Sequence, residues 1–168
     1  IDTAGRLARA LKERLARVPV VIGGAHVSAL PEETMERWEA FDLAVVGEGD
    51  LTIVELLEAL GGGRALEEVA GVIYRRRGRL RRTPPRPLIK DLDSLPFPAW
   101  DLLEGFTTVY QPTATRRVRL PSAYVVSSRG CPYRCTFCSN SVHGRTYRSY
   151  SVDYLMRMIE QLIDLYGV

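Results

Sequence analysis

The sequence lacks the patterns that mark membrane and secreted proteins. No apolar run approaches the roughly 20 residues that a membrane-spanning helix needs, and no charged-then-apolar leader resembles a secretory signal. Lysine and histidine are also scarce: 21 of the 23 basic residues are arginine, and the chain has only two histidines. The absence of an apolar span and of a secretory leader argues against a membrane span or secretion and predicts a cytoplasmic protein.

Aromatic residues are missing from the most basic stretch of the chain. Seven arginines lie between Arg75 and Arg86, yet no interleaved aromatic side chains are present to stack against bases. With a net charge of only +3, such a run is more typical of a solvated face. We therefore predict no nucleic-acid partner. At 168 residues and 46% hydrophobic composition, the chain can bury the core of one or two small domains.

Cysteine is rare as well, and all three cysteines lie within the stretch "SSRGCPYRCTFCSN". Cys131, Cys135 and Cys138 cannot all pair in disulfides, and their C-x3-C-x2-C spacing favours a shared metal centre. Zinc would recruit His143 as a fourth ligand through C-x3-C-x2-C-x4-H. An iron-sulfur cluster needs only three cysteines if its remaining iron binds an exogenous ligand. The spacing alone does not separate these two alternatives.

The first 60 residues alternate helix and strand signals. The apolar periodicity and the glycine and proline positions predict, in order, a helix through Leu7, Leu11 and Leu15, a strand at 18–22, a helix from Pro31, a strand at 43–46 and a helix at 52–60. This order implies a parallel, doubly wound α/β sheet.

Glycine-rich turns end both predicted strands. Ligands of open α/β sheets bind at the carboxyl ends of the strands, where "GGAH" and "GEGD" fall. The turns therefore predict a cofactor site, although glycines also occur simply because a tight turn requires them.

The remaining chain reads as a linker followed by a second α/β element. Residues 64–120 contain a hairpin centred on Gly78 and a proline-punctuated connector. Residues 123–127 predict a strand, the cysteines follow in a loop, and Ser151 predicts the cap of a helix that runs to Tyr166.

Several segments resemble a known family in the order that the family shows. "CPYRCTFC" is similar to the C-x3-C-x-aromatic-C signature of radical S-adenosylmethionine (SAM) enzymes. "VVIGGAHVSALPEE", "FDLAVVGEGD" and "LDSLPFPAWDLL" resemble segments of the subgroup that carries a cobalamin-binding domain before its radical barrel. The resemblance implies the C-terminal part of a Rossmann-like cobalamin-binding domain (residues 1–63), an inter-domain linker (64–120) and the start of a radical SAM β/α barrel (121–168).

The resemblance also implies roles for the residues of the cysteine stretch. Cys131, Cys135 and Cys138 would ligate three irons of a 4Fe-4S cluster, and the fourth iron would bind S-adenosylmethionine. Phe137, at the family's aromatic position, would lie near the adenine, although ordinary packing is its alternative role.

Cobalamin contacts follow from the same resemblance. Gly23 and Gly24 would let the nucleotide tail approach the backbone, and Gly47, Glu48 and Gly49 would form the next loop of the crevice. Glu48 and Asp50 have a second interpretation as acidic residues at a helix start. His26 would either hydrogen-bond the tail or cap a turn. It is not the lower cobalt ligand, because the motif D-x-H-x-x-G is absent.

The implied function is reductive cleavage of S-adenosylmethionine for radical chemistry. Methyl transfer to an unactivated carbon is a common outcome in this subgroup, and other rearrangements occur. The implied partners are a small-molecule or biosynthetic-intermediate substrate and an electron donor such as flavodoxin or ferredoxin. Because a β/α barrel takes roughly 200 residues or more and only 46 follow from Ala123, we expect an incomplete chain with little or no turnover alone.

Overall fold

A computed structural model describes residues 1–110, 113 and 120–168. Its helices are α1 (Asp2–Arg14), α2 (Ala25–Ala29), α3 (Pro31–Arg37), α4 (Asp50–Leu60) and α5 (Val152–Tyr166). Its strands are β1 (Val21–Ile22), β2 (Leu43–Val45), β3 (Val72–Arg76), β4 (Arg79–Arg82), β5 (Ser128–Arg129) and β6 (Arg148–Ser149). Short 3-10 turns lie at Leu66–Glu68, Leu92–Ser94 and Trp100–Leu102.

The chain forms two compact units whose limits cut across the predicted domain boundaries. Unit 1 comprises Ile1–Ile89 together with Cys131–Arg145, and unit 2 comprises Lys90–Gly130 together with Thr146–Val168. The segment that holds the three cysteines thus belongs to the same unit as both glycine turns, at 23–24 and 47–49. No helix in the described part of the chain is long and apolar enough to cross a membrane.

The sheet of unit 1 confirms the α/β class and differs from the prediction in strand direction. β1 and β2 pair in parallel, with Val21 opposite Leu43. β3 then pairs antiparallel with β2, and β4 with β3, so the strand order is β1-β2-β3-β4. The sheet is therefore mixed rather than parallel throughout. The hairpin predicted within the linker lies in this sheet, because Val72 and Ile73 are buried there.

The predicted hairpin around Gly78 is confirmed. Arg77 and Gly78 form a two-residue connection with φ of 51° and 74°, the positive values that a tight hairpin turn of matching twist requires. Its arginines form surface ion pairs: Arg76 contacts Glu67, and Arg82 Nη1 lies 2.7 Å from Glu32 Oε1. These contacts agree with a solvated basic face.

Side chains cover both faces of the sheet in unit 1. On one face Ala44 and Ile73 pack with Ala8, Val27, Met35 and Phe41 of the flanking helices and loops. On the other face Leu43, Val45, Val72 and Tyr74 pack with Leu56 and Val69. The helix predicted through Leu7, Leu11 and Leu15 forms as α1, but those leucines are exposed. Its buried face consists of Gly5 and Ala8, since the Trp38 ring occupies the space beside Gly5.

Unit 2 contains the predicted C-terminal helix. Ser151 caps α5 by accepting a hydrogen bond from Tyr154 N at 3.1 Å, and Gly167 ends it with φ of 67°. Tyr154 is buried and donates its hydroxyl proton to Leu95 O at 2.9 Å. The predicted strand at 123–127 is wrong, because the backbone pairing occurs later, between β5 and β6. Ala123 and Val125 of this segment pack against the α5 core instead.

Candidate functional site

The first glycine turn, Gly23–Gly24, joins the end of β1 to α2 and is open. Gly24 has φ of 100°, and a Cβ atom added there would meet no other atom within 4 Å. A side chain at Gly23 would make only ordinary contact, 3.7 Å from Val45. His26 follows in α2, also exposed. Glycine at position 24 therefore satisfies a backbone requirement, and the surface of this turn is accessible.

The second glycine turn, Gly47–Gly49, ends β2 and is enclosed by other parts of unit 1. Gly47 has φ of 83°, and its N–H donates to Ser28 Oγ of α2 at 3.0 Å. This bond ties the second glycine turn to the helix that follows the first. Gly49 then precedes α4, whose first residue is Asp50. The position of Asp50 agrees with its interpretation as an acidic helix start, and its cofactor contact stays a prediction.

Glu48, in the middle of the second glycine turn, carries a buried carboxylate. Its side chain is 1% exposed. Oε2 accepts a hydrogen bond from Ile89 N at 2.9 Å, and Oε1 lies 3.2 Å from His143 Nδ1. Because a buried carboxylate is costly unless it is hydrogen-bonded, these contacts explain how the turn tolerates it. They give Glu48 a structural role beside its predicted cofactor contact.

His143 belongs to the cysteine loop, residues 131–145, whose C-terminal half is anchored within unit 1. Ser141 Oγ donates to Ala25 O at 3.4 Å, beside the first glycine turn. A Cβ atom at Gly144 would come within 2.8 Å of the Leu88 side chain. Gly144 N in turn donates to Asn140 O at 3.0 Å. The turn at 140–144 therefore contacts both the strand-end region and the segment at 88–89.

The N-terminal half of the cysteine loop presents its thiols outward. All three cysteines are free, with Cys131 partly exposed and Cys135 and Cys138 exposed. Cys138 N donates to Cys135 O at 3.1 Å, which forms a local turn between two of the thiols. Phe137 is 91% exposed, so no packing within unit 1 accounts for it.

These residues fit an iron-sulfur cluster by their chemistry. Three accessible free thiols on one loop are suitable cluster ligands. Within the described residues, no three Cys, His, Asp or Glu side chains are gathered closely enough to hold a metal ion, so the convergence of the cysteines stays a prediction. The zinc alternative finds no support among the described residues either, because His143 and the three cysteines form no such group.

A second polar cluster fixes the start of α4 behind the second glycine turn. Arg86 Nε donates to the buried Thr52 hydroxyl at 2.7 Å, and its guanidinium also contacts Glu55. The hydrogen bond from Arg86, with the added charge of Arg64, lowers the pKa of Glu55 against the opposing effect of burial. The charged form of Glu55 is therefore the one that holds this region together.

Several site residues had no signal in the sequence. The contact between Glu48 and His143 joins positions 95 residues apart, and neither residue type demands such a partner. Ser28, Ser141 and Ile89 are equally ordinary in sequence. The signal that could have revealed the contact is the position of Glu48 at an otherwise apolar and glycine-rich strand end, since a carboxylate buried there needs a hydrogen-bonding partner.

Comparisons with known proteins match the first part of the chain to a family and nearly the whole chain to individual relatives. The B12 binding domain family matches residues 1–57. The chain is 40% identical to an uncharacterized methyltransferase of Pyrococcus horikoshii over 99% of its own length and 34% of that protein. It is 31% identical to a cobalamin-dependent radical SAM methyltransferase of Streptomyces tokunonensis, over 92% of the chain and 23% of that relative.

A solved structure has the same fold. A cobalamin-dependent S-adenosylmethionine radical enzyme, with aqua-cobalamin and S-adenosylmethionine bound, superposes with a TM-score of 0.75 at 22% identity. The match covers 97% of this chain and 22% of that one. The chain therefore spans about a third or less of the length of the proteins it matches.

Proposed function

Because the chain belongs to the cobalamin-binding subgroup of the radical SAM superfamily, we propose that it forms the junction between a cobalamin site and a 4Fe-4S site. Residues 1–63 would contribute to the cobalamin-binding domain together with strands β3 and β4 of the same sheet. The rest of 64–120 would connect the domains, and 121–168 would begin the radical SAM barrel. The related proteins named as methyltransferases favour methyl transfer as the reaction.

The thiols of Cys131, Cys135 and Cys138 would hold the cluster. Their exposure leaves them accessible for cluster insertion, and their free state requires no prior reduction of a disulfide. The exposed ring of Phe137 would contact the adenine of S-adenosylmethionine. The chemistry that these cofactors supply when bound is one-electron cleavage of S-adenosylmethionine and methyl transfer to an unactivated carbon.

The open first glycine turn would admit cobalamin. Gly23 and Gly24 have no side chains between the backbone and solvent, and His26 is exposed nearby to hydrogen-bond the cofactor tail. Gly47, Glu48 and Gly49 would form the adjoining wall, which Ser28 and the cysteine loop support. The single observation that carries this proposal is that the cysteine loop lies against the strand-end region inside one compact unit.

The same proposal assigns the partners. A small molecule or biosynthetic intermediate would be the substrate, and flavodoxin or ferredoxin would supply electrons. A reducing compartment keeps clustered thiols available, so we propose the cytoplasm as the location.

Anaerobic reconstitution tests the metal assignment. We expect the protein, expressed with any flanking sequence that its gene encodes, to bind about four irons and four sulfides per chain, the content of a 4Fe-4S cluster. Cys135→Ala should abolish the full cluster. One zinc without sulfide in the wild-type protein, or a full cluster in the variant, would contradict the proposal.

Cobalamin retention tests the glycine turn separately. Gly24→Trp in the same protein should lose bound cobalamin, measured by its visible absorption after gel filtration, while the iron content stays unchanged. Undiminished retention would count against the crevice. We further expect the isolated 168-residue chain to show little or no cleavage of S-adenosylmethionine, because a β/α barrel takes roughly 200 residues or more and only 23 of the 168 residues lie after the cysteine loop.

A further inference from the structure

We infer that Glu48 is a positioning residue whose buried carboxylate holds the cysteine loop against the strand-end turns of the cobalamin-binding unit. This inference extends the proposed function, and the test that uses the reconstituted cluster rests on that function. It makes the placement of the cluster ligands depend on a residue of the cobalamin crevice. The contact that links the two is the 3.2 Å approach of Glu48 Oε1 to His143 Nδ1.

The burial of Glu48 is the first support for this inference. A carboxylate that is 1% exposed loses its hydration and is retained only where protein groups replace the water. In helix starts and surface turns an acidic residue ordinarily stays solvated. Burial of Glu48 therefore makes the local fold depend on the groups that its two oxygens contact.

The second support is that the two carboxylate oxygens of Glu48 contact different partners. Oε2 is fixed by Ile89 N at 2.9 Å, a backbone donor that orients the carboxylate. Oε1 is then directed to the imidazole of His143. The backbone bond thus presets the geometry of the side-chain contact, as expected of a residue that positions another group.

The position of His143 is the third support. It lies five residues after Cys138, and the intervening turn is closed by the bond from Gly144 N to Asn140 O. Ser141 adds a weaker anchor at Ala25. Since the thiol-bearing half of the loop is exposed, the anchored half at 140–144 is the part that fixes where the cysteines lie.

Hydrogen exchange tests the contact without any cofactor. In the apo protein as its gene encodes it, Glu48→Gln and His143→Ala should each raise exchange of backbone amides in 140–145 about tenfold or more, as loss of a buried hydrogen bond implies. The double variant should exchange no faster than the faster single variant, because both changes remove one contact. Glu32→Gln, which removes an exposed acid paired with Arg82, is the matched control and should leave 140–145 unchanged.

The reconstituted cluster supplies a second readout that general destabilisation would not reproduce. Glu48→Gln and His143→Ala should shift the electron paramagnetic resonance signal of the reduced cluster, whereas Glu32→Gln should not. Exchange within twofold of wild type in both variants would overturn the inference. If Glu48→Gln fails to fold, His143→Ala still tests it, because that side chain is 46% exposed. Failure of the wild-type protein to assemble a cluster would refute the proposed function while leaving the exchange test intact.

Discussion

The two glycine turns of unit 1 end neighbouring parallel strands and look alike in sequence, yet they differ in what surrounds them. At the first glycine turn, a Cβ atom on Gly24 would meet open space. At the second, Gly47 bonds to Ser28, and Glu48 is buried against Ile89 and His143. The same local backbone requirement therefore serves one surface that can receive a ligand and one that fastens another loop.

Removal of the buried carboxylate of Glu48 should change the free energy of unfolding more than any other substitution at the two turns. Glu48→Ala is expected to lower the free energy of unfolding by about 2 to 3 kcal/mol, because it leaves the Ile89 N–H and His143 without their acceptor. His26→Ala, at the exposed residue beside the first glycine turn, should change it by less than about 0.5 kcal/mol. Urea denaturation of both variants measures the difference. Equal losses of unfolding free energy would mean that the two turns do not differ in their structural importance.

Substitution of the two left-handed glycines should have an intermediate effect. Gly24→Ala and Gly47→Ala should each destabilise the protein by about 1 to 3 kcal/mol, because a Cβ atom strains backbone with φ of 100° or 83°. Their consequences should then diverge. Gly47→Ala should also increase hydrogen exchange of the residue-47 amide, whose bond to Ser28 Oγ depends on that backbone conformation, whereas Gly24→Ala should not.

The neighbouring glycines provide the matched comparison. Gly23→Ala and Gly49→Ala should each change the free energy of unfolding by less than about 0.5 kcal/mol, since their added Cβ atoms would make ordinary contacts of 3.7 and 3.6 Å with Val45. A large loss in either variant, measured in the same urea titration, would mean that space rather than backbone conformation sets the glycine requirement.

Acidification should produce the smallest of these effects, behind the second glycine turn. The pKa of Glu55 in the folded protein lies below its ordinary 4.5 because of the bond from Arg86. This bond therefore stabilises the fold above pH 4.5, and the stabilisation is lost as the pH falls through the folded-state pKa. Hydrogen exchange in α4 should rise below pH 4.5 relative to α2. Glu55→Gln should remove that pH dependence, and an unchanged dependence in this variant would assign it to another group.

Local patterns predicted much of this fold because their physical causes are local. The apolar periodicity of α5, the Ser151 cap and the Gly167 stop each depend on nearby residues, as does the turn at Arg77 and Gly78. The exposed leucines of α1 show the limit, since Leu7, Leu11 and Leu15 gave the helix but not its buried face. That face depends on Trp38, whose position no local pattern specifies.

Partner choice at long range could not be predicted. The hairpin joins β2 rather than standing alone, because Val72, Ile73 and Tyr74 find a buried partner strand there. The contact between Glu48 and His143 likewise arises only once the chain has folded. The glycine turns and the cysteine spacing identified the region of the candidate site, whereas the connection that holds its parts together depends on tertiary packing.

The arginines of β4 have a consequence for how copies of the molecule meet. Among the described strands, β4 forms one border of the four-stranded sheet, and the outer backbone groups of such a strand form a template for edge-to-edge aggregation. Arg79, Arg81 and Arg82 occupy three of its four positions. Two copies that approached along this border would bring like charges together, so the same residues that keep the hairpin solvated also deter self-assembly into extended sheets.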